Sequence, residues 1–146
     1  MLIRDNLPLP IREIKNLRIP LSDGCVLTAR LWLPENAEMN PVPAIVEYIP
    51  YRQHDGTAAI DARTHPYFAG HGYAAMRIDI RGSGNSEGVL HDEYLQQEQD
   101  DALEILAWIE NQPWCSGSVG MIGISWGGFA ALQIAALRPP QLKAIV

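Results

Sequence analysis

Cysteine is scarce in this sequence: Cys25 and Cys115 stand far apart and form neither a CxxC pair nor an evenly spaced framework. A disulfide-stapled secreted fold is not expected, a reducing compartment is, and both side chains are expected to pack rather than react. Basic runs are also absent. The 11 Lys and Arg are outnumbered by 17 Asp and Glu, giving a formal charge of −6, so neither nucleic acid nor an anionic membrane is expected as the main partner. Small, neutral or cationic ligands remain open. No histidine has metal-ligand spacing such as HExxH, so no metal site is expected.

Residues 1–20 alternate charges and prolines with single apolar residues and contain no apolar h-region, so no secretory leader is expected and the cytoplasm is the expected location. Charge is missing over one long stretch, between Glu110 and Arg138, whose length would permit a membrane span of about 20 residues. Five glycines (Gly117, Gly120, Gly123, Gly127 and Gly128), with Ser116, Ser118, Ser125 and Gln133, break any uniform apolar helix there. A short buried strand, a tight turn and a buried helix fit better, because α/β proteins make such elements apolar on every side. No membrane partner is expected.

What is present is a globular composition: 146 residues, 47% of them hydrophobic, enough for one domain with a buried core. Two extended runs in residues 11–33 flank Ser22-Asp23-Gly24 and predict a β-hairpin, with Leu27, Ala29, Leu31 and Leu33 on one face. Strands are predicted at residues 44–49, 74–80, 119–124 and 142–146. Helices are predicted at 61–70, with Pro66 setting a start or a kink, at 92–111, and at 126–137. The second helix has an apolar stripe of Ala102, Leu106 and Ile109, with Leu103 and Ile105 beside them. A hairpin followed by alternating strands and helices predicts an α/β fold, a mostly parallel sheet with flanking helices. A strand at the very end would leave apolar surface uncovered, so the chain is expected to be the first portion of a larger fold.

Gly123-Ile124-Ser125-Trp126-Gly127 matches GxSxG where a predicted strand passes into a predicted helix. A nucleophilic serine needs an exposed hydroxyl on a sharp, strained turn, and the flanking glycines remove the Cβ clashes such a turn creates. The helix starting at the serine aims N–H groups at the anion formed during acyl transfer. Competing glycine motifs fail: Gly82, Gly84 and Gly88 give GxGxxxG rather than GxGxxG, and residues 123–128 lack the Lys and Ser/Thr of a P-loop.

Three motifs in order then carry a family resemblance. Asp79-Ile80-Arg81-Gly82-Ser83-Gly84-Asn85-Ser86-Glu87-Gly88, Gln112-Pro113-Trp114-Cys115-Ser116-Gly117-Ser118-Val119-Gly120-Met121 and Gly123-Ile124-Ser125-Trp126-Gly127-Gly128 resemble the CocE/NonD hydrolases, a group containing cocaine esterase, the X-Pro dipeptidyl-peptidases and the α-amino-acid ester hydrolases. The Ser22-Asp23-Gly24 hairpin and Pro50-Tyr51-Arg52 fit too, so the similarity runs from about residue 15 to the end. The resemblance implies an α/β hydrolase fold and hydrolysis of a small-molecule ester or a peptide through an acyl-enzyme, with no metal or organic cofactor needed. It implies Ser125 as nucleophile and an oxyanion hole made by the backbone N–H of Trp126 and the hydroxyl of Tyr51. For Tyr51 the bland alternative is a surface loop aromatic. His71-Gly72-Tyr73 is not an oxyanion loop, because it precedes a strand. Asp79, Arg81 and Glu87 are expected to orient their loop rather than act on substrate.

Serine attack needs a base, and in this fold the acid and the histidine follow the serine. After Ser125 there is no His, Asp or Glu. His54, His65, His71 and His91 precede it and are expected at the surface or in loops. The family's acid, histidine, cap and C-terminal β domain have no matching positions, and the isolated chain is expected to be inactive. The alternatives are a non-catalytic remnant or binding module whose open sheet edge an oligomer partner covers, or an acyltransferase on the same elbow.

Overall fold

A computed structural model describes residues 7–146; the first six residues of the stretch read for a leader lie outside that range. In chain order the elements are β1 (Ile11–Pro20), β2 (Val26–Pro34), β3 (Val42–Ile49), α1 (Ala58–Gly70), β4 (Ala74–Asp79), α2 (Gln96–Glu110), β5 (Cys115–Met121), α3 (Trp126–Leu137) and β6 (Leu142–Ile145). The six strands form one sheet in the order β1-β2-β4-β3-β5-β6. β1, β2 and β4 run antiparallel in turn, and β4, β3, β5 and β6 run parallel. This is the α/β arrangement read from the sequence: a hairpin, then a mostly parallel sheet.

Alternation of side chains along the central strands builds two different layers. On one face Leu27, Ala29, Leu31, Leu33, Val46, Tyr48, Met76 and Ile78 pack against Ala102, Ile105, Leu106 and Ile109 of α2 and Ala130, Ala131 and Ile134 of α3, all buried. On the other, Trp32 and Ala75 pack against Phe68 and Ala69 of α1. Cys115 is buried, Cys25 is half-buried against the core, and both are free thiols. No helix among the described residues is long and apolar enough to cross a membrane.

Several boundaries and one environment differ from expectation. The helix α1 begins at Ala58 and runs through Pro66; Pro66 has no N–H to give the carbonyl four residues earlier, which belongs to Ala62, an exposed residue that water can reach. α2 begins at Gln96 rather than at residue 92, because Tyr94 takes φ 62° and its N–H donates to the Glu98 carboxylate at 3.2 Å. β5 spans Cys115–Met121 rather than 119–124: Gly117 at φ 85° lets Cys115 pair with Val42 across a register shift, and beyond Met121 the single bonds from Ile122 N–H to Val46 O and from Gly123 N–H to Val146 O lead into the turn before α3. β4 closes at Asp79 and β6 at Ile145, one residue short of expectation. His65 is not a surface residue. It lies on the inner face of α1 with 1% of its surface exposed, while His54, His71 and His91 are exposed.

Candidate active site

β3 and β5 are parallel neighbours with Val46 opposite Met121, so the segments leaving their C-terminal ends emerge side by side. One carries Tyr51 and the other Ser125. Ser125 is exposed and takes φ 58°, ψ −120°, immediately before the first residue of α3. That conformation is costly for any residue with a Cβ and stands at the last step of the turn from β5 into α3. It needs the glycines around it. A β-carbon at Gly123 would lie 2.3 Å from the carbonyl carbon of Gly127, and one at Gly127 would lie 2.8 Å from the Ile49 methyl at the end of β3. Substitution of Gly123 by alanine should therefore lower stability by about 3 kcal/mol and the Tm by several degrees. Gly120→Ala, where the added carbon meets nothing nearer than 3.7 Å, should leave the Tm almost unchanged; thermal unfolding of the two variants checks this.

As the first residue of α3, Trp126 has a backbone N–H with no carbonyl one turn earlier to bind, so it is available to an oxyanion beside Ser125. Its indole is fixed from below. Nε1–H donates to Oε1 of the buried Glu98 at 2.9 Å, whose other oxygen accepts the Tyr94 N–H. The Tyr94 ring lies 5.3 Å from both Trp126 and Phe129. Burial pushes the Glu98 carboxyl up, and the hydrogen bonds from Trp126 and Tyr94 pull against that. Tyr51 is 39% exposed, and the Tyr94 phenol is raised first by desolvation, then by Glu93, Tyr51 and Glu98. The Tyr51 segment, the exposed Ser125 and the Trp126 N–H thus all follow the C-terminal ends of the neighbouring strands β3 and β5.

The profile of the X-Pro dipeptidyl-peptidase (S15 family) matches residues 23–146. The chain belongs to that family. Among its relatives, cocaine esterase of Rhodococcus sp. (strain MB1 Bresler) is 36% identical over 133 residues, which is 89% of this chain and 22% of that protein. A CocE/NonD family hydrolase from Staphylococcus aureus superposes with a TM-score of 0.79 at 23% identity, over 91% of this chain and 26% of its own. An aminopeptidase from a marine sediment archaeon, Thaumarchaeota archaeon, does so with a TM-score of 0.73 at 21% identity, over 99% of this chain and 26% of its own. The fold is the α/β hydrolase fold, and the chain spans about a fifth to a quarter of the length of these relatives.

Within this S15-family chain, the segment after β4 is held by the three charged residues its motif carries. Asp79 accepts the Gln53 N–H at 2.9 Å. Arg81 donates two hydrogen bonds of 2.8 Å to Asp101 and pairs with Asp23 at 2.9 Å. Glu87 accepts from Val26 N and Arg18. Asp79 and Glu87 tie loops to the sheet, and Arg81 ties its own loop to α2 and to the turn between β1 and β2.

Sequence reasoning missed a polar layer beneath the Tyr51 loop, where Glu47, Asp61, His65 and Asp79 surround the Arg77 guanidinium on the α1 face. Carboxylate and imidazole atoms of Glu47, Asp61 and His65 lie within 4.8 Å of one another, but Arg77 already supplies the cation among them. Burial, then Arg77, lowers the His65 pKa to about 4. An imidazole that stays neutral in the fold but takes a proton near pH 6.5 when unfolded costs stability as the pH falls. This contribution is complete above pH 6.5 and is lost between there and about pH 4, by about 3 kcal/mol. Burial raises the Glu47, Asp61 and Asp79 carboxyls; these favour the fold when protonated and act in the opposite direction. The His65 ring itself should remain neutral down to about pH 4, read from its Cε1 proton shift by NMR.

Proposed function

We propose that this chain carries the nucleophile and oxyanion hole of a serine hydrolase that cleaves an ester or an amide, of acyl-ester or X-Pro dipeptide type, through an acyl-enzyme on Ser125. One observation carries the reading: Ser125 stands exposed at positive φ on the turn from β5 into α3, the strained placement an attacking hydroxyl requires. Ser125 Oγ adds to the acyl carbon while its proton passes to a base. The tetrahedral oxyanion accepts from Trp126 N–H and Tyr51 O–H; collapse expels the alcohol or amine, which takes the proton, and water then releases the acid. Glu98, the carboxylate beneath Trp126, accepts from Trp126 and Tyr94 with its two oxygens and does not supply the base. The general base and its acid come from sequence other than residues 1–146, in keeping with the order in which this fold places them after the serine. The named hydrolases among the relatives support a small-molecule ester or peptide as substrate. The two free thiols support a reducing, cytoplasmic setting.

A fluorophosphonate probe tests this. The full-length protein should be labelled on the peptide containing Ser125, located by mass spectrometry, while residues 1–146 alone should not be. Labelling at any other serine would remove Ser125 from the role of nucleophile.

A further inference from the structure

Arg77 is an arginine in the centre of a parallel sheet, fully buried, and packing alone does not call for it. Its contacts show what it holds. Nη1 donates to the carbonyl oxygen of Ile49 at 3.3 Å and to that of Ile78 at 2.9 Å, and Nη2 donates to Thr57 Oγ1 at 3.3 Å. Ile49 is the last residue of β3, and Thr57 is the residue before α1. The guanidinium therefore grips both ends of the eight-residue segment 50–57 that carries Tyr51. The middle of the segment is pinned by the same layer: Gln53 N–H donates to Asp79, and Gln53 Nε2 donates to Thr28 Oγ1 at 3.1 Å. Asp79, Asp61 and Glu47 lie 3.8, 3.5 and 4.0 Å from the guanidinium and keep its charge paired inside the protein, where an unpaired one would be prohibitive. The segment is closed on itself. Thr57 N–H donates to Arg52 O, Arg52 sits at φ 56°, and a β-carbon at Gly56 would fall 2.1 Å from the Tyr51 carbonyl oxygen.

We propose that Arg77 is a positioning residue for the oxyanion hole: by tying Ile49 to Thr57 it fixes the backbone of the segment that aims the Tyr51 hydroxyl. This rests on the reading of Tyr51 as an oxyanion donor. A planar guanidinium donates in several fixed directions at once, and an ammonium of the same charge cannot reproduce that fork. A displacement of the Tyr51 hydroxyl by about 1 Å is enough to cost on the order of 100-fold in rate.

The test is a double-mutant cycle in the full-length protein with p-nitrophenyl acetate. Arg77→Lys, which keeps the buried charge, should lower kcat by about 10- to 100-fold and change KM by less than about threefold. Added to Tyr51→Phe, it should have almost no further effect on kcat, because the hydroxyl it positions is already gone. If the two losses multiply instead, Arg77 acts on the fold as a whole and the inference fails while Tyr51 keeps its role. If Tyr51→Phe alone turns over normally, it is the oxyanion reading that fails. Should Arg77→Lys not fold, Thr57→Val decides in its place. It keeps Arg77 and removes one end of the grip, together with the Thr57 hydrogen bond to Asp61, and its loss of kcat should likewise vanish on the Tyr51→Phe background.

Discussion

Replacing Ser125 by alanine should lower kcat of the full-length protein by on the order of 10^6-fold and abolish fluorophosphonate labelling, with substrate still bound. The size follows from the loss of the covalent route; what remains is binding and an oxyanion hole with no nucleophile to serve. The fold should be indifferent to the change. Ser125 is exposed, and neither the α3 ladder, in which its carbonyl accepts the Phe129 N–H at 3.0 Å, nor the Gly123–Gly127 crossing involves its hydroxyl. A third residue at the same position separates function from strain. At φ 58°, ψ −120° both serine and alanine carry the cost of a Cβ in a sparsely populated region, on the order of 1 to 3 kcal/mol, and glycine does not. Ser125→Gly should be as inactive as Ser125→Ala yet melt several degrees higher. Equal Tm values for the two would mean that the turn stores no strain at the nucleophile.

That turn was the most legible feature of the sequence, because its requirements are local. Two glycines around a serine, a strand before and a helix after, all fall within about a dozen residues, and α3 begins and ends at Trp126 and Leu137 as its pattern predicts. The hairpin was legible for the same reason. The resemblance to CocE/NonD hydrolases supplied Tyr51. No spacing singles it out, since its relation to Ser125 exists only once β3 and β5 lie side by side.

The polar layer escaped because apolar periodicity is a search for buried apolar stripes, whereas the buried stripe of α1 is Asp61, His65 and Ala69 at four-residue spacing. A signal was present: Arg77 interrupts the otherwise apolar start of Ala-Ala-Met-Arg-Ile in a strand predicted to be central, and a charge there must find partners. Glu98 carried a similar one. It lies in phase with Ala102, Ile105 and Ile109, so a carboxylate was due to arrive at the inner face of α2, where it meets the Trp126 indole. The start of α2 had no such signal, because Tyr94 adopts positive φ with no residue preference to announce it.

Tyr51→Phe should cost about 2.7 to 4 kcal/mol of transition-state stabilisation, a loss of about 10^2- to 10^3-fold in kcat, with KM nearly unchanged. The asymmetry between the two constants is the informative part. A phenolic O–H aimed at the oxyanion gains its strength only when negative charge develops on the acyl oxygen, so its removal spares the ground state. Phenylalanine keeps the ring and the backbone of the segment, whose carbonyl at residue 51 is packed against Gly56 and whose ends are held by Arg77; the Tm should shift by less than about 2 degrees. A residue that merely covered the surface, as its 39% exposure would equally allow, predicts turnover close to wild type. The remaining rate in Tyr51→Phe measures what the main-chain donor at the head of α3 achieves alone. The same variant should slow fluorophosphonate labelling of Ser125, because the phosphonyl oxygen develops charge in the same place, and it should do so without moving the label to another residue.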